Sequence, residues 1–240
     1  MIIPGGAFRR LVYNFEGEDV AKWLNSMGIA AFVLECRLPS DEHDNAEDVP
    51  LIDAMRAMRV IRGRAQEFGI DEAKIGVMGF SAGGFMAALL STAYESDVYA
   101  DYKYKDEYDK LSARPDFAVC SYPVISIDDC IEAGKRYMSE EQVLERISDS
   151  KAKILHKYNP DKLVRPDMPP VFICETDDDR TTLSENSVGF YMAARKAGVS
   201  AELHIFRTGG HGYGCGDDFA QTGEWKVLFT KWIKSIEIIS

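Results

Sequence analysis

The chain predicts an α/β fold, a mostly parallel sheet with helices on both faces. Three observations predict it. Short apolar runs alternate with longer amphipathic stretches from end to end. Most of the runs are apolar at every position, as strands covered on both faces are. The stretches between them have room for the crossover helices that parallel pairing requires. The 240 residues fit one large α/β domain or two small ones, and 46% of them are hydrophobic, enough for a sizeable core. With no repeat and no low-complexity linker, a single domain over 1–240 is expected.

In chain order, the strand-like runs are 30–36, 74–80, 117–122, 171–175 and 201–206. Val20, Trp23, Leu24 and Met27 have helical spacing, and Gly28 is a plausible stop. A longer stripe runs through Leu51, Ala54, Met55, Met58, Ile61, Ala65 and Phe68 to Gly69. Residues 85–94 read as a helix. Ser184 is expected to cap a helix to about Ala197, with Gly198 after it. Trp225, Leu228, Phe229, Trp232, Ile233 and Ile236 make a closing amphipathic helix. Two segments break the rhythm. Residues 95–116 are rich in tyrosine and charge, and 126–168 are polar and end in a loop with Pro160, Pro166, Pro169 and Pro170. Both are expected to form a small cap over a site rather than a second domain.

The formal net charge of −11 disfavours nucleic acid, whose phosphates would be repelled. No apolar stretch is long enough to span a bilayer. No basic segment followed by an apolar core marks a secretory signal. Cysteines 36, 120, 130, 174 and 215 are odd in number and scattered, so neither a disulfide framework nor a zinc site is expected, and a cytoplasmic location is the default.

Residues 79–84 read GFSAGG, between the run 74–80 and the helix 85–94. Strand, sharp turn with serine at its tip, helix: this is the context that makes G-x-S-x-G a nucleophile elbow. The bare pattern is weak, and a passive serine in a tight turn is the alternative. A serine hydroxyl needs a base. Of the histidines, His204 alternates within a strand, His43 sits in the acidic stretch DEHDNAED, and His156 lies in the second insertion. His211 lies in TGGHGYG, just after the last strand, where an α/β sheet places its site. An acid must orient the imidazole. The loop after 171–175 offers Asp177, Asp178 and Asp179, which otherwise read as a solvated turn or a weak calcium site. The order Ser, Asp, His is that of α/β-hydrolases. For an oxyanion hole, one donor is expected at the N–H of Ala82 and the other in the opening IIPGGAF, where Gly5, Gly6 and Ala7 allow close backbone approach.

Together these segments resemble the α/β-hydrolase superfamily, specifically acetyl-xylan-esterase-like and lipase-like bacterial serine esterases. PGGAFRRL resembles the family's oxyanion loop, and EGEDVAKWLNSMGIAAFVLECRLP its next helix and strand. Further likenesses are LIDAMRAMRVIRGRAQEFGIDEAKIGVMGFSAGG, MPPVFICETDDDRTTLSENSVGFYMAARKAGVSAELHIF and GGHGYG. Residue by residue, the resemblance implies Ser81 as nucleophile, Asp179 as acid and His211 as base, with Gly6, Ala7 and Ala82 at the oxyanion positions. It implies a cofactor-free, metal-free hydrolase of short acyl esters, acetyl foremost, on sugars or small alcohols. The alternatives are a general short-chain carboxylesterase and an inactive hydrolase-fold binding protein. Tyr99, Tyr102, Tyr104 and Tyr108 are candidates for stacking on sugar rings, or else for packing. Three departures stand out. Ala7 replaces a glycine, Thr181-Thr182-Leu183 replaces the family's valine-proline after the acid, and three residues precede the oxyanion loop where the family has strands. The last leaves 30–36 expected at a sheet edge, covered by a second subunit or by a cap segment.

Overall fold

A computed structural model describes residues 1–39, 43–100, 102–148, 153–216 and 222–239. Positions 40–42, 101, 149–152, 217–221 and 240, which include parts of DEHDNAED and of both insertions, lie outside the described residues. Among the described residues five strands form one sheet in the order β1 (Ile2–Ile3), β2 (Val77–Phe80), β3 (Ala118–Ser121), β4 (Val171–Thr176), β5 (Ala201–Phe206). Every pairing is parallel, with Met78 opposite Ile2 and Val119, and Phe172 opposite Val119 and Glu202. This is the expected α/β architecture.

Successive residues of each strand face opposite cores, as a pleated strand dictates. Val77, Ala118, Cys120, Val171 and Ile173 face one layer, with α2 (Val49–Gly63), α4 (Ala82–Ala93) and α8 (Ser184–Lys196). Met78, Phe80, Val119, Phe172 and Cys174 face the other, with α1 (Asp19–Ser26) and α9 (Glu224–Ser235). On that second face Trp225, Phe229 and Trp232 pack edge-on or tilted against Trp23, Phe80 and Phe172. Each such buried ring contributes roughly 1.5–3 kcal/mol of transfer free energy.

The differences from the sequence reading have local causes. The run 30–36 is not a strand but a single parallel bridge from Val33 to Ile2, with Ile2 N–H donating to Phe32 O (2.7 Å) and Leu34 N–H to Ile2 O (2.8 Å). Its neighbour β1 is only two residues long, so it offers no longer ladder. The run still lies at the sheet edge. Strand β2 starts at Val77 rather than 74 because Lys74 N–H closes a turn on Asp71 O and Ile75 N–H goes to Asp116 Oδ2. The long stripe breaks at Arg64 into α2 and the short α3 (Ala65–Phe68). Ser184 does not cap α8; Leu183 precedes it without a side-chain cap.

The first insertion straps α2. The Arg59 guanidinium lies 4.2 Å over the Tyr99 ring, Tyr99 stacks on Tyr102, and Arg56 pairs with Asp106 (2.6 Å). Tyr108 abuts Gly63 at the end of α2. Tyr99, Tyr102 and Tyr108 thus follow the packing alternative, while Tyr104 stands 79% exposed. The second insertion carries α5 (Ile127–Tyr137), α6 (Glu140–Ser148) and α7 (Lys153–Lys157). It begins beside the first turn of α8, where Asn186 Oδ1 accepts the N–H of Ile125 (3.0 Å) and Arg136 pairs with Glu185 (2.9 Å). It ends at the start of α2, where Lys157 and Tyr158 both reach Asp48.

Candidate active site

GFSAGG forms the turn between β2 and α4. Ser81 has φ 54° and ψ −119°, a strained region for a side-chain-bearing residue. The glycines make that turn possible: a Cβ on Gly79 would lie 1.9 Å from Gly83 O, and one on Gly83 would lie 2.0 Å from Ile3 O. Ser81 N–H donates to Ser121 O at 3.0 Å, which pins the elbow to the end of β3.

Ser81 Oγ lies 2.8 Å from His211 Nε2. His211 Nδ1 lies 2.6 Å from Asp179 Oδ2. The structure thus joins the serine, histidine and aspartate named from the sequence in one unbroken hydrogen-bonded line. Asp179 is 2% exposed, and its Oδ1 accepts the N–H of Thr181 (2.7 Å) and of Thr182 (3.0 Å). Burial pushes its carboxyl up, but the bond and charge of His211 and the two backbone donors outweigh burial, and the net direction is down. Asp178 points elsewhere: its Oδ1 accepts the N–H of Gly209 and of Gly210. Asp177 is exposed. The three aspartates therefore diverge rather than converge on a cation. His204 pairs with Glu202 (2.8 Å), and His156 is exposed on α7.

Ala82 opens α4, so its N–H belongs to the first turn, whose amides have no partner within the helix. The turn at 5–8 carries Gly6 at φ 131°, Ala7 at 55° and Phe8 at 57°. Ala7, standing where the resemblance has glycine, is held in the left-handed region. Beside Gly5 and Ala82 lies a narrow cleft, lined also by Phe8, Leu38, Pro50 and Met86, with about 10 Å³ of water-accessible space. A larger apolar groove of about 250 Å³ runs by Met1, Gly76 and Phe117, at the opposite ends of the strands.

Sequence reading missed three side chains at this site. Thr182 Oγ1 donates to Asp179 Oδ2 (2.9 Å) and lies 3.2 Å from His211 Nδ1. Tyr122, at φ 37°, packs edge-on to the His211 ring with centroids 5.0 Å apart. Glu16, 2% exposed, accepts from Gly5 N–H (2.8 Å) and from Tyr122 O–H (2.9 Å). Glu16 stands among other acidic residues in NFEGED and Tyr122 closes an apolar run, so neither carries a distinguishing sequence signal.

The family model BD-FAE matches residues 1–193. The chain belongs to the BD-FAE family. Over 236 residues it is 31% identical to an acetylxylan esterase of Xylanibacter ruminicola, covering 98% of this chain and 45% of that protein. Over 219 residues it is 31% identical to endo-1,4-beta-xylanase B of Butyrivibrio fibrisolvens, covering 91% and 33%. The BD-FAE chain thus spans less than half the length of these curated relatives. Among solved structures it superposes on an acetyl ester-xyloside bifunctional hydrolase from Caldicellulosiruptor lactoaceticus with TM-score 0.81 and 37% identity, covering 100% of this chain and 84% of that one. A carboxylesterase from Lactobacillus plantarum shares the fold at TM-score 0.82 and 21% identity, covering 100% and 86%. The fold of this BD-FAE member is that of the α/β-hydrolases.

Proposed function

We propose that this BD-FAE chain is a serine ester hydrolase acting on short acyl esters, acetyl esters of sugars foremost. The observation that carries the reading is the line from Ser81 through His211 to Asp179, at 2.8 and 2.6 Å, with the serine on a strained elbow. Ser81 Oγ attacks the ester carbonyl carbon while His211 Nε2 takes its proton. The carbonyl π electrons move onto oxygen, and the N–H groups of Ala82, Gly6 and Ala7 receive that charge. As the oxyanion collapses, the alcohol leaves with the proton from His211, and the acyl group stays on Ser81. Water then attacks the acyl carbon and gives its proton to His211; the second oxyanion collapses, the bond from Ser81 Oγ to the acyl carbon breaks, His211 returns the proton to Ser81 Oγ, and the acid departs. Asp179 holds the Nδ1–H tautomer and stabilises the imidazolium.

The likeness to an acetylxylan esterase and to an acetyl ester-xyloside hydrolase supports acetyl groups on sugars as the substrate class. The narrow cleft beside Gly5 and Ala82 widens, in this reading, to take the acyl group. In this reading the whole of 1–240 is one domain, α5 to α7 form a small cap beside the acid loop, and the edge at 30–36 is where a second copy pairs. Sedimentation giving a monomer at all concentrations would remove that last element alone. The scattered cysteines keep a cytoplasmic location as our proposal. The test of function is acetate release from acetylated xylo-oligosaccharides and from simple acetyl esters. Release from both is expected, faster from the sugar. Release from neither would contradict the reading.

A further inference from the structure

We infer that Glu16 is a positioning residue that holds the oxyanion turn in its working shape and ties it to the histidine loop. The assignment rests on the hydrolase reading above.

Glu16 sits in a π-helical turn, Asn14–Glu18, that runs directly into α1. Such turns put a residue out of helical register, and functional sites use them often. Here the offset carries a carboxylate inward, to 2% exposure, between three chain segments. Oε2 accepts the N–H of Gly5 at 2.8 Å, and Oε1 accepts the Tyr122 hydroxyl at 2.9 Å. That hydroxyl in turn accepts the N–H of Gly214 at 3.0 Å, three residues beyond His211. Both oxygens act as acceptors, the pattern an anion satisfies without needing a further partner for a proton. Burial raises the Glu16 carboxyl; the bonds from Gly5 and Tyr122 and the charge of His211 pull the other way, and the net direction is up.

The consequence for the turn follows from peptide geometry. Gly5 O accepts the N–H of Val12 (2.9 Å), and Gly6 O accepts those of Arg9 (3.0 Å) and Arg10 (3.3 Å). N–H and C=O point opposite ways across a trans peptide. The amides of Gly6 and Ala7 therefore face away from the 9–12 segment. Glu16 fixes the preceding amide, so the turn is held at both ends. Little slack exists: a Cβ on Gly5 would lie 2.8 Å from Glu16 Oε2 and 2.9 Å from Ser81 Cβ. A shift of the carboxylate is thus passed to the spacing between the turn and the nucleophile. Oxyanion donors act through their placement before charge develops, so a loosened turn lowers turnover more than it weakens ground-state binding.

The experiment is steady-state hydrolysis of p-nitrophenyl acetate by wild type, Glu16→Gln and Tyr122→Phe, with inhibition by an arylboronic acid that forms a tetrahedral adduct on serine. Glutamine presents an amide N–H₂ to one of the two donors, so one bond is lost. The expected result for Glu16→Gln is a kcat lower by about 10- to 10³-fold, KM little changed, and boronate affinity reduced in parallel. Tyr122→Phe, which removes one hydroxyl and keeps the ring, is expected to lower kcat about tenfold, and the double variant to lose less than the product of the two. Should Glu16→Gln fail to fold, Tyr122→Phe carries the test. Unchanged kcat, a change in KM alone, or a lower kcat with full boronate affinity would overturn the assignment. An active wild type beside an unaffected Glu16→Gln sinks this inference alone. A wild type inert to every acetyl ester sinks the hydrolase reading as well.

Discussion

Asp178 and Asp179 are neighbours in the chain, yet their carboxylates hold the histidine loop at two separate points. Asp178 Oδ1 accepts the N–H of Gly209 (2.9 Å) and Gly210 (2.8 Å), while Asp179 Oδ2 meets His211 Nδ1 at 2.6 Å. One carboxylate fixes the loop's path, and the other faces the ring. Asp179→Asn is expected to keep the shape but favour the wrong tautomer, at a cost of up to about 10⁴ in kcat. Asp178→Asn keeps an acceptor oxygen and is expected to be mild, whereas Asp178→Ala frees two N–H groups and should cost more. Steady-state rates on one acetyl ester rank the three; a severe Asp178→Asn beside a mild Asp179→Asn would reverse the assignment.

Activity is expected to fall as the solution is acidified, because a protonated imidazole at His211 cannot take the Ser81 proton. The profile of kcat/KM on a short ester, taken from about pH 8 to pH 5, covers the range in which imidazoles change charge. A flat profile with the fold intact would contradict a histidine base.

Asp179 also couples stability to pH. Its folded carboxyl lies below the ordinary aspartate range. The stabilisation is therefore present above the unfolded value of about 4 and is lost as pH falls through the lower folded value. Denaturant titrations at neutral pH and near pH 3 should show a smaller acid loss in Asp179→Asn than in wild type. An equal loss would mean that the Asp179 carboxyl is not held down by the fold.

The legible part of this protein was its local periodicity. The sequence places a strand at 201–206, the bounds of β5, and the part of the stripe from Leu51 to Ile61 faces the core as expected. The elbow and the histidine loop were legible because their glycines punctuate them. What stayed hidden depends on partners far away in sequence. The segment 30–36 has strand composition, but its ladder length is set by the two residues of β1. Glu16 and Tyr122 are 106 residues apart, and neither breaks a pattern that a linear scan can detect. For the tyrosines of the first insertion the sequence leaves stacking and packing open, and the contacts of Tyr99 and Tyr102 with Arg59 and Arg56 on α2 favour packing for those two.

Acyl length offers a test of the cleft beside Gly5 and Ala82. Phe8 and Met86 are among the residues that line it, with about 10 Å³ of free space. The chain is expected to prefer acetyl over butyryl esters, and Met86→Ala to narrow that preference, since a shortened side chain leaves room for added methylenes. Equal rates across acyl lengths in wild type would mean that the acyl group lies elsewhere.

The central claim is that Ser81 is the nucleophile, and the most direct measurement is p-nitrophenyl acetate hydrolysis by Ser81→Ala beside wild type. Removing the nucleophile of a working triad costs on the order of 10⁴- to 10⁶-fold in turnover. The account predicts a loss of that size with an unchanged melting temperature, because the elbow's backbone bonds from Ser81 N–H to Ser121 O and from Phe85 N–H to Ser81 O survive the substitution. A folded Ser81→Ala protein that hydrolyses the ester at near wild-type rate would contradict it.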